Sequence, residues 1–181
     1  MRDEMEEFDQ LREKIIAESR IVLKASKQAI YSAHRADLKE AEKLLGDAKT
    51  AVSRINKMVE KDVCLQHVGS YLDALEEYAE ASCYVHYLQT EELPTPKQLG
   101  VRTEIYLGAL SDLIGELVRK AINECVKGNH KTPLEIKKFV EELYAELMLF
   151  DWRNTPVRKK FDAIKYGLEK LEDLALKIGF K

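Results

Sequence analysis

Glu77, Glu80, Asp112 and Glu116 are the residues of this sequence whose types and spacing most directly offer chemistry. At about 100° per residue on a helix, Glu77 and Glu80 lie about 60° apart and Asp112 and Glu116 about 40° apart, so each pair projects from one helical face. Two such pairs on neighbouring helices present hard oxygen donors, the ligand type that Mg²⁺ and Mn²⁺ prefer. A cation so held activates water and neutralises charge on a phosphoryl group. Glu is also common on solvated helix surfaces and both pairs lie off the apolar stripes of their helices, so spacing alone favours that reading. Three local features favour a site. Gly108 and Gly115 flank Asp112 on the same helical face, and a mid-helix glycine costs about 1 kcal/mol relative to alanine, which predicts close approach of a backbone or ligand. Arg119 and Asn123 continue that face and place a guanidinium and an amide where a phosphate can be held. Ala74 and Ala81 leave room beside Glu77 and Glu80, with Tyr84 one turn further on.

A second cluster follows near the end of the chain. Arg153, Arg158, Lys159, Lys160 and Lys165 oppose only Asp162 between residues 152 and 165, five positive charges against one negative. Such local cation density suits a polyanion, although a solvated helix start has the same composition. His86 and Tyr87, beyond the first acid pair, are of the types that stack on or hydrogen-bond to unpaired bases, and more often of the types found at the boundary of a core.

The elements that must position these groups are helices. Val157, Phe161, Ile164, Leu168, Leu171, Ala175 and Ile178 alternate steps of four and three, the seam of a bundle. Tyr106, Leu110, Leu113, Leu117 and Ala121 form a second stripe, and Val68, Leu72, Leu75 and Ala79 a third. Thr95-Pro96, Thr132-Pro133 and Thr155-Pro156 each read as an N-cap hydroxyl before a proline at the first helical position. Gln98 and Glu135 complete capping boxes for the first two, and Gly128 reads as a C-terminal stop. The pattern predicts an all-α chain with main helices at roughly 3–34, 37–60, 63–90, 103–127, 133–150 and 156–178, and a short turn near 96–100.

With 181 residues the expected organisation is one domain over 1–181. The balance of 29 Lys+Arg against 32 Asp+Glu gives a net charge of −3, so any polyanion surface must be locally concentrated. Cys64, Cys83 and Cys125 form neither a disulfide framework nor a zinc pattern, and are expected as buried thiols in a reducing compartment. The acidic start MRDEMEEFDQ is unlike a secretory leader and no run is apolar enough for a bilayer, which places the expected location in the cytoplasm with no membrane partner.

Four stretches in register resemble one family. E-E-Y-A-E-A at 76–81 with Tyr84 and His86, Y-L-G-A-L-S-D-L-I-G-E-L-V-R at 106–119, G-N-H-K-T-P-L-E-I-K-K-F-V at 128–140 and V-R-K-K-F-D-A-I-K-Y-G-L-E-K-L-E-D-L at 157–174 look like translin and its partner Trax, as does the Gly179-Phe180 ending. The similarity is clearest from about 70 to 181. It implies an antiparallel bundle of six to seven helices that assembles into a hollow shell, a homo-octamer, enclosing RNA. Glu77, Glu80, Asp112 and Glu116 fall on the acid positions of Trax, the catalytic type, which implies a Mg²⁺- or Mn²⁺-dependent endoribonuclease acting on RNA, single-stranded by preference, with DNA also possible. On that resemblance Arg119, Asn123, His86, Tyr84, Arg158, Lys159 and Lys160 are the expected nucleic-acid contacts. The short connection at about 91–102 and the lack of a basic nuclear-targeting tail suggest a compact prokaryotic or archaeal form. Two rivals stand beside this reading: a non-catalytic, translin-like RNA- or DNA-binding shell, and a MazG-like all-α nucleotide pyrophosphatase, whose EExxE half E-E-Y-A-E also fits although its ExxD half does not.

Overall fold

A computed structural model describes residues 2–179, so Phe180 of the ending lies outside the described residues. The elements run α1 (Arg2–His34), α2 (Leu38–Val59), a 3₁₀ turn (Val63–His67), α3 (Gly69–Thr90), α4 (Pro96–Leu99), α5 (Thr103–Val126), α6 (Lys131–Leu147) and α7 (Pro156–Gly179), with no strand among the described residues. The all-α expectation therefore holds. The chain divides into two compact units, residues 1–106 and 107–181.

In the first unit, α1, α2 and α3 pack on one another. The turn between α1 and α2 is closed by Ala36 in the left-handed region (φ +64°) and by Asp37, whose carboxylate accepts from the Glu40 backbone N–H at 3.2 Å. The core combines Ile15, Val22, Val52, Ile55, Leu65, Leu75 and Tyr78 with fully buried alanines, Ala48, Ala51 and Ala74 among them. Such small side chains let helix axes approach closely and fill the space between them to normal density. Residues 78–85 of α3 are all buried, so this helix is enclosed around its whole circumference. It begins at Gly69 rather than at 63 because Asp62 caps the preceding 3₁₀ turn, accepting from Cys64 N–H at 2.8 Å, and Val68 is extended. Thr95 forms its full capping box with Gln98 on α4.

In the second unit, α6 packs on α7. The α7 seam is as expected: Phe161, Ile164 and Leu171 are buried and Val157, Leu168, Ala175 and Ile178 are half-buried. Phe161 stacks between Tyr144 and Trp152 with centroid separations of 5.4 and 4.7 Å, and the Trp152 indole donates to the Leu147 carbonyl at 2.8 Å. Gly167 lets α7 close on α5, since a Cβ there would sit 3.3 Å from Ile114 Cγ2 and 3.4 Å from Val118 Cγ2. Gly128 (φ +83°) ends α5 as the sequence indicates. The start of α6 differs. Thr132 is not the cap: Asn129 accepts from the Lys131 and Thr132 backbone N–H groups at 3.1 and 3.3 Å and donates to Thr132 Oγ1 and to Glu124. An amide three residues upstream supplies acceptor and donor together, and so displaces the hydroxyl from the capping role.

Glu124 is the hub of this junction. Hydrogen bonds from Lys127 and Lys120, both at 3.0 Å, with Asn129 adding a third, hold its carboxyl far down, at about 2. A carboxyl lowered from 4.5 in the folded state contributes stability that is present above pH 4.5 and lost as pH falls towards 2. Glu124→Gln is expected to destabilise the chain by about 1–2 kcal/mol at pH 7, after discounting for solvent screening, and to flatten the acid limb of the stability profile. Urea unfolding at pH 7 and pH 3 measures both, and an unchanged acid limb in the variant refutes the assignment.

Candidate functional site

Each unit carries one of the two acid pairs. In the first, α3 places Glu77 and Glu80 one turn apart. The Glu77 side chain is 26% exposed and its Oε1 lies 3.2 Å from Lys27 Nζ of α1. Glu80 is buried at 8% exposure, so it does not face away from the chain's own core as its position off the apolar stripe suggests. Ala74 and Ala81, on the same helix, are fully buried.

Tyr84, expected as a nucleic-acid contact, is fully buried, and its hydroxyl lies 3.0 Å from His34 Nδ1. Its ring is therefore a core element that no base can reach. Tyr87 is buried as well, whereas His86 is half-buried. Cys83, one residue before Tyr84, is buried; desolvation, with the nearby Glu80 charge adding to it, pushes the thiol up to about 12. Its hydrogen-bond partner Tyr106, whose hydroxyl donates to the Pro94 carbonyl at 2.7 Å, is also raised, first by burial. Both groups stay neutral and inert at physiological pH. The expectation of three buried thiols holds for Cys83 alone, since Cys64 is exposed and Cys125 half-buried.

In the second unit, α5 carries Asp112 and Glu116. Asp112, with its side chain 38% exposed, binds Lys160 Nζ of α7 at 2.6 Å, and Glu116 lies 3.5 Å from Arg119 one turn on. Gly108 is buried, but Gly115 is exposed and a Cβ on it would meet nothing within 4 Å, so the predicted close approach is absent there. Arg119 and Asn123 are exposed on the same helix. The basic cluster is partly spent internally: Arg158 Nε contacts both Asp162 oxygens at 3.0 and 3.1 Å, and its Nη1 donates to the Trp152 carbonyl at 3.1 Å. Lys159 and Arg153 are exposed and without an ion pair among the described residues.

Glu77, Asp112 and Glu116 thus each hold a cationic side chain. Lys27 escapes sequence reasoning because its partner is 50 positions away and no local pattern encodes the packing of α1 on α3. In kind, the donors fit a hard divalent cation, being carboxylate oxygens presented one helical turn apart. In arrangement they stand as two pairs, and among the described residues no group of three or more His, Cys, Asp or Glu side chains is gathered as a ligand set. No helix among the described residues is long and apolar enough to cross a membrane.

An all-helical chain with acid pairs on its third and fifth helices, each pair beside basic side chains, defines a class that is also matched by sequence. The translin family model matches residues 10–179, and the chain belongs to the translin family. Translin of Gallus gallus is 25% identical over 156 residues, covering 78% of this chain and 68% of that protein. Translin-associated protein X of Mus musculus is 25% identical over 210 residues, covering 92% and 72%. The chain spans about half the length of the mammalian translins it matches, 53% for the human protein. Among solved structures, apo-NeC3PO superposes with a TM-score of 0.91 at 27% identity, covering 97% of this chain and 93% of the other. AfC3PO in complex with duplex RNA gives 0.87 at 23% identity with the same coverage, which shows the shared helical-bundle fold.

Proposed function

We propose that this chain binds RNA within a homo-oligomeric shell and hydrolyses phosphodiesters at a Mg²⁺ or Mn²⁺ site formed by Glu77, Glu80, Asp112 and Glu116. The observation that carries the reading is the pairing of three of these acids, Glu77, Asp112 and Glu116, with Lys27, Lys160 and Arg119 at 2.6–3.5 Å: carboxylates suited to a divalent cation stand in contact with cations suited to a phosphate. Membership of the translin family supports it, as does the duplex RNA held by a protein of the same fold. The bound metal would supply charge neutralisation and an activated water. The chain's own residues do the rest. Lys27 and Lys160, beside Glu77 and Asp112, would hold non-bridging phosphate oxygens, and Arg119 would stabilise the additional negative charge as the phosphorus centre is attacked. Asn123, His86, Arg158 and Lys159 extend the contact along the strand. The proposed assembly is an octamer, the preferred substrate single-stranded RNA, and DNA a further ligand.

A second reading has its own support. Because no three-ligand group is gathered among the described residues, the chain also fits a non-catalytic, translin-like shell that binds nucleic acid alone. Incubating purified protein with labelled single-stranded and duplex RNA in Mg²⁺, Mn²⁺ or EDTA separates the two. Cuts that require the divalent cation are expected, from a particle near eight times 20.8 kDa by light scattering. Tight binding with no cutting in either metal would leave the shell reading standing and remove the nuclease.

A further inference from the structure

The exposed face of α1 departs from a pattern that recurs along the chain. Elsewhere several helix cations meet an acid one turn away: Arg2–Glu6, Lys120–Glu124, Lys131–Glu135, Lys138–Glu142 and Arg158–Asp162 are all i,i+4 pairs. From residue 20 to residue 35 there are four Lys or Arg and no Asp or Glu. Arg20, Lys24, Lys27 and Tyr31 follow steps of four, three and four, which keeps them within about 60° of one another around the helix, and Arg35 follows in the turn just past its end. All five are exposed. Like charges at this spacing cost a helix a few tenths of a kcal/mol per pair, so the arrangement is unfavourable for folding alone. Arg20 and Lys24 have no ion pair among the described residues. Lys27 does have one, and its partner is Glu77.

The stripe also carries an aromatic platform. Tyr31 is 55% exposed and the Arg35 guanidinium lies 4.9 Å from its ring centroid, while Ile21 beside the stripe is 48% exposed. A ring capped by a guanidinium at the surface matches the stacking sites of single-strand-binding proteins, where bases stack on aromatic faces between phosphate-binding cations. From Arg20 to Tyr31 the stripe extends about 16 Å along the helix axis, with Arg35 beyond it, enough for several nucleotides.

We infer that this face of α1 is a track for single-stranded RNA: Arg20, Lys24 and Arg35 hold successive phosphates, Tyr31 stacks an unpaired base, and Lys27 hands the backbone to Glu77. The inference rests on the RNA reading of that same acid site and supplies it with an entry path. An alternative occupant is a second copy of this chain, because residues 3–13 of α1 hold six acids against one arginine and would complement the basic stretch. RNA is favoured because two of those acids, Glu6 and Glu13, already pair with Arg2 and Arg12, and because a run of cations with an aromatic ring between them is the arrangement that holds a single strand.

The test uses the intact chain and a short fluorescein-labelled oligouridylate, read by anisotropy over a salt series, with light scattering on every variant. Arg20→Ala/Lys24→Ala is expected to bind about tenfold more weakly and to lower the slope of log K against log salt by about 1.4, roughly 0.7 for each phosphate no longer held on a single strand. Tyr31→Ala is expected to lose about fivefold or more on the oligouridylate and little on duplex RNA, with Tyr31→Phe restoring wild-type binding. Unchanged affinity and salt slope in the double variant, against a wild type that binds, overturns the track and leaves the RNA reading intact. A wild type that binds no RNA defeats both. A double variant whose assembled mass changes assigns the stripe to contacts between copies and likewise overturns the inference.

Discussion

Asp112→Asn is expected to reduce metal-dependent RNA cleavage by about a hundredfold or more while leaving RNA affinity within about twofold. The substitution keeps the volume of the side chain and removes one anionic oxygen donor, so the cost falls on the cation and on the transition state it stabilises. Lys160, which holds the Asp112 carboxylate at 2.6 Å, keeps its charge and its place on α7, so phosphate binding is conserved. Glu80→Gln is expected to give the same kinetic signature. Because Glu80 is buried, its variant is paired with a thermal melt, and only a loss of cleavage without a loss of fold counts. Glu77→Gln and Glu116→Gln complete the set. The four variants distinguish a shared site from four ion-paired surface acids, for which cleavage would persist at near wild-type rate in every one. Survival of cleavage in Asp112→Asn alone is enough to remove the metal site as drawn.

How far the sequence reveals this molecule depends on whether a feature is encoded locally. The α7 seam is complete in its spacing, because every buried residue from Phe161 to Leu171 obeys a helical period within one element. Thr95 and Gly128 are likewise local: a hydroxyl three residues before a glutamine, and a glycine where only positive φ ends the helix. Thr132 carries the same local signal and is overridden by Asn129, whose amide satisfies more groups at once. The acid pairs are legible as pairs, since one turn of helix sets them. Their surroundings are not. Lys27 reaches Glu77 and Lys160 reaches Asp112 across 50 and 48 positions, distances over which composition and periodicity are silent. Burial of Glu80 and Tyr84 is hidden for a related reason. The stripe Val68, Leu72, Leu75, Ala79 describes a helix with one covered face, whereas α3 is covered on all sides from 78 to 85. The small residues Ala74, Ala79, Ala81 and Ser82 are the available sign of close packing all around.

The burial of Tyr84 yields the sharpest test of the site's boundary. A base-stacking tyrosine replaced by alanine loses RNA and keeps its fold, while a core tyrosine so replaced loses its fold. Tyr84 is fully buried with its hydroxyl against His34 Nδ1, so Tyr84→Ala is expected to cost about 3–5 kcal/mol of stability, the range for emptying a large aromatic site. Tyr84→Phe keeps the ring and removes only the oxygen, and is expected to cost about 1–2 kcal/mol because His34 is left without its hydroxyl partner. Its RNA affinity should stay within about twofold, since nothing at the surface has changed. Urea unfolding and anisotropy on the same preparations report the two quantities separately. Should Tyr84→Phe keep its unfolding midpoint and lose RNA, the hydroxyl would have to act on the ligand, and α3 would have to open on binding to expose it. An unmoved affinity instead confines recognition to groups the solvent already touches, Tyr31 on α1 foremost among the aromatic ones.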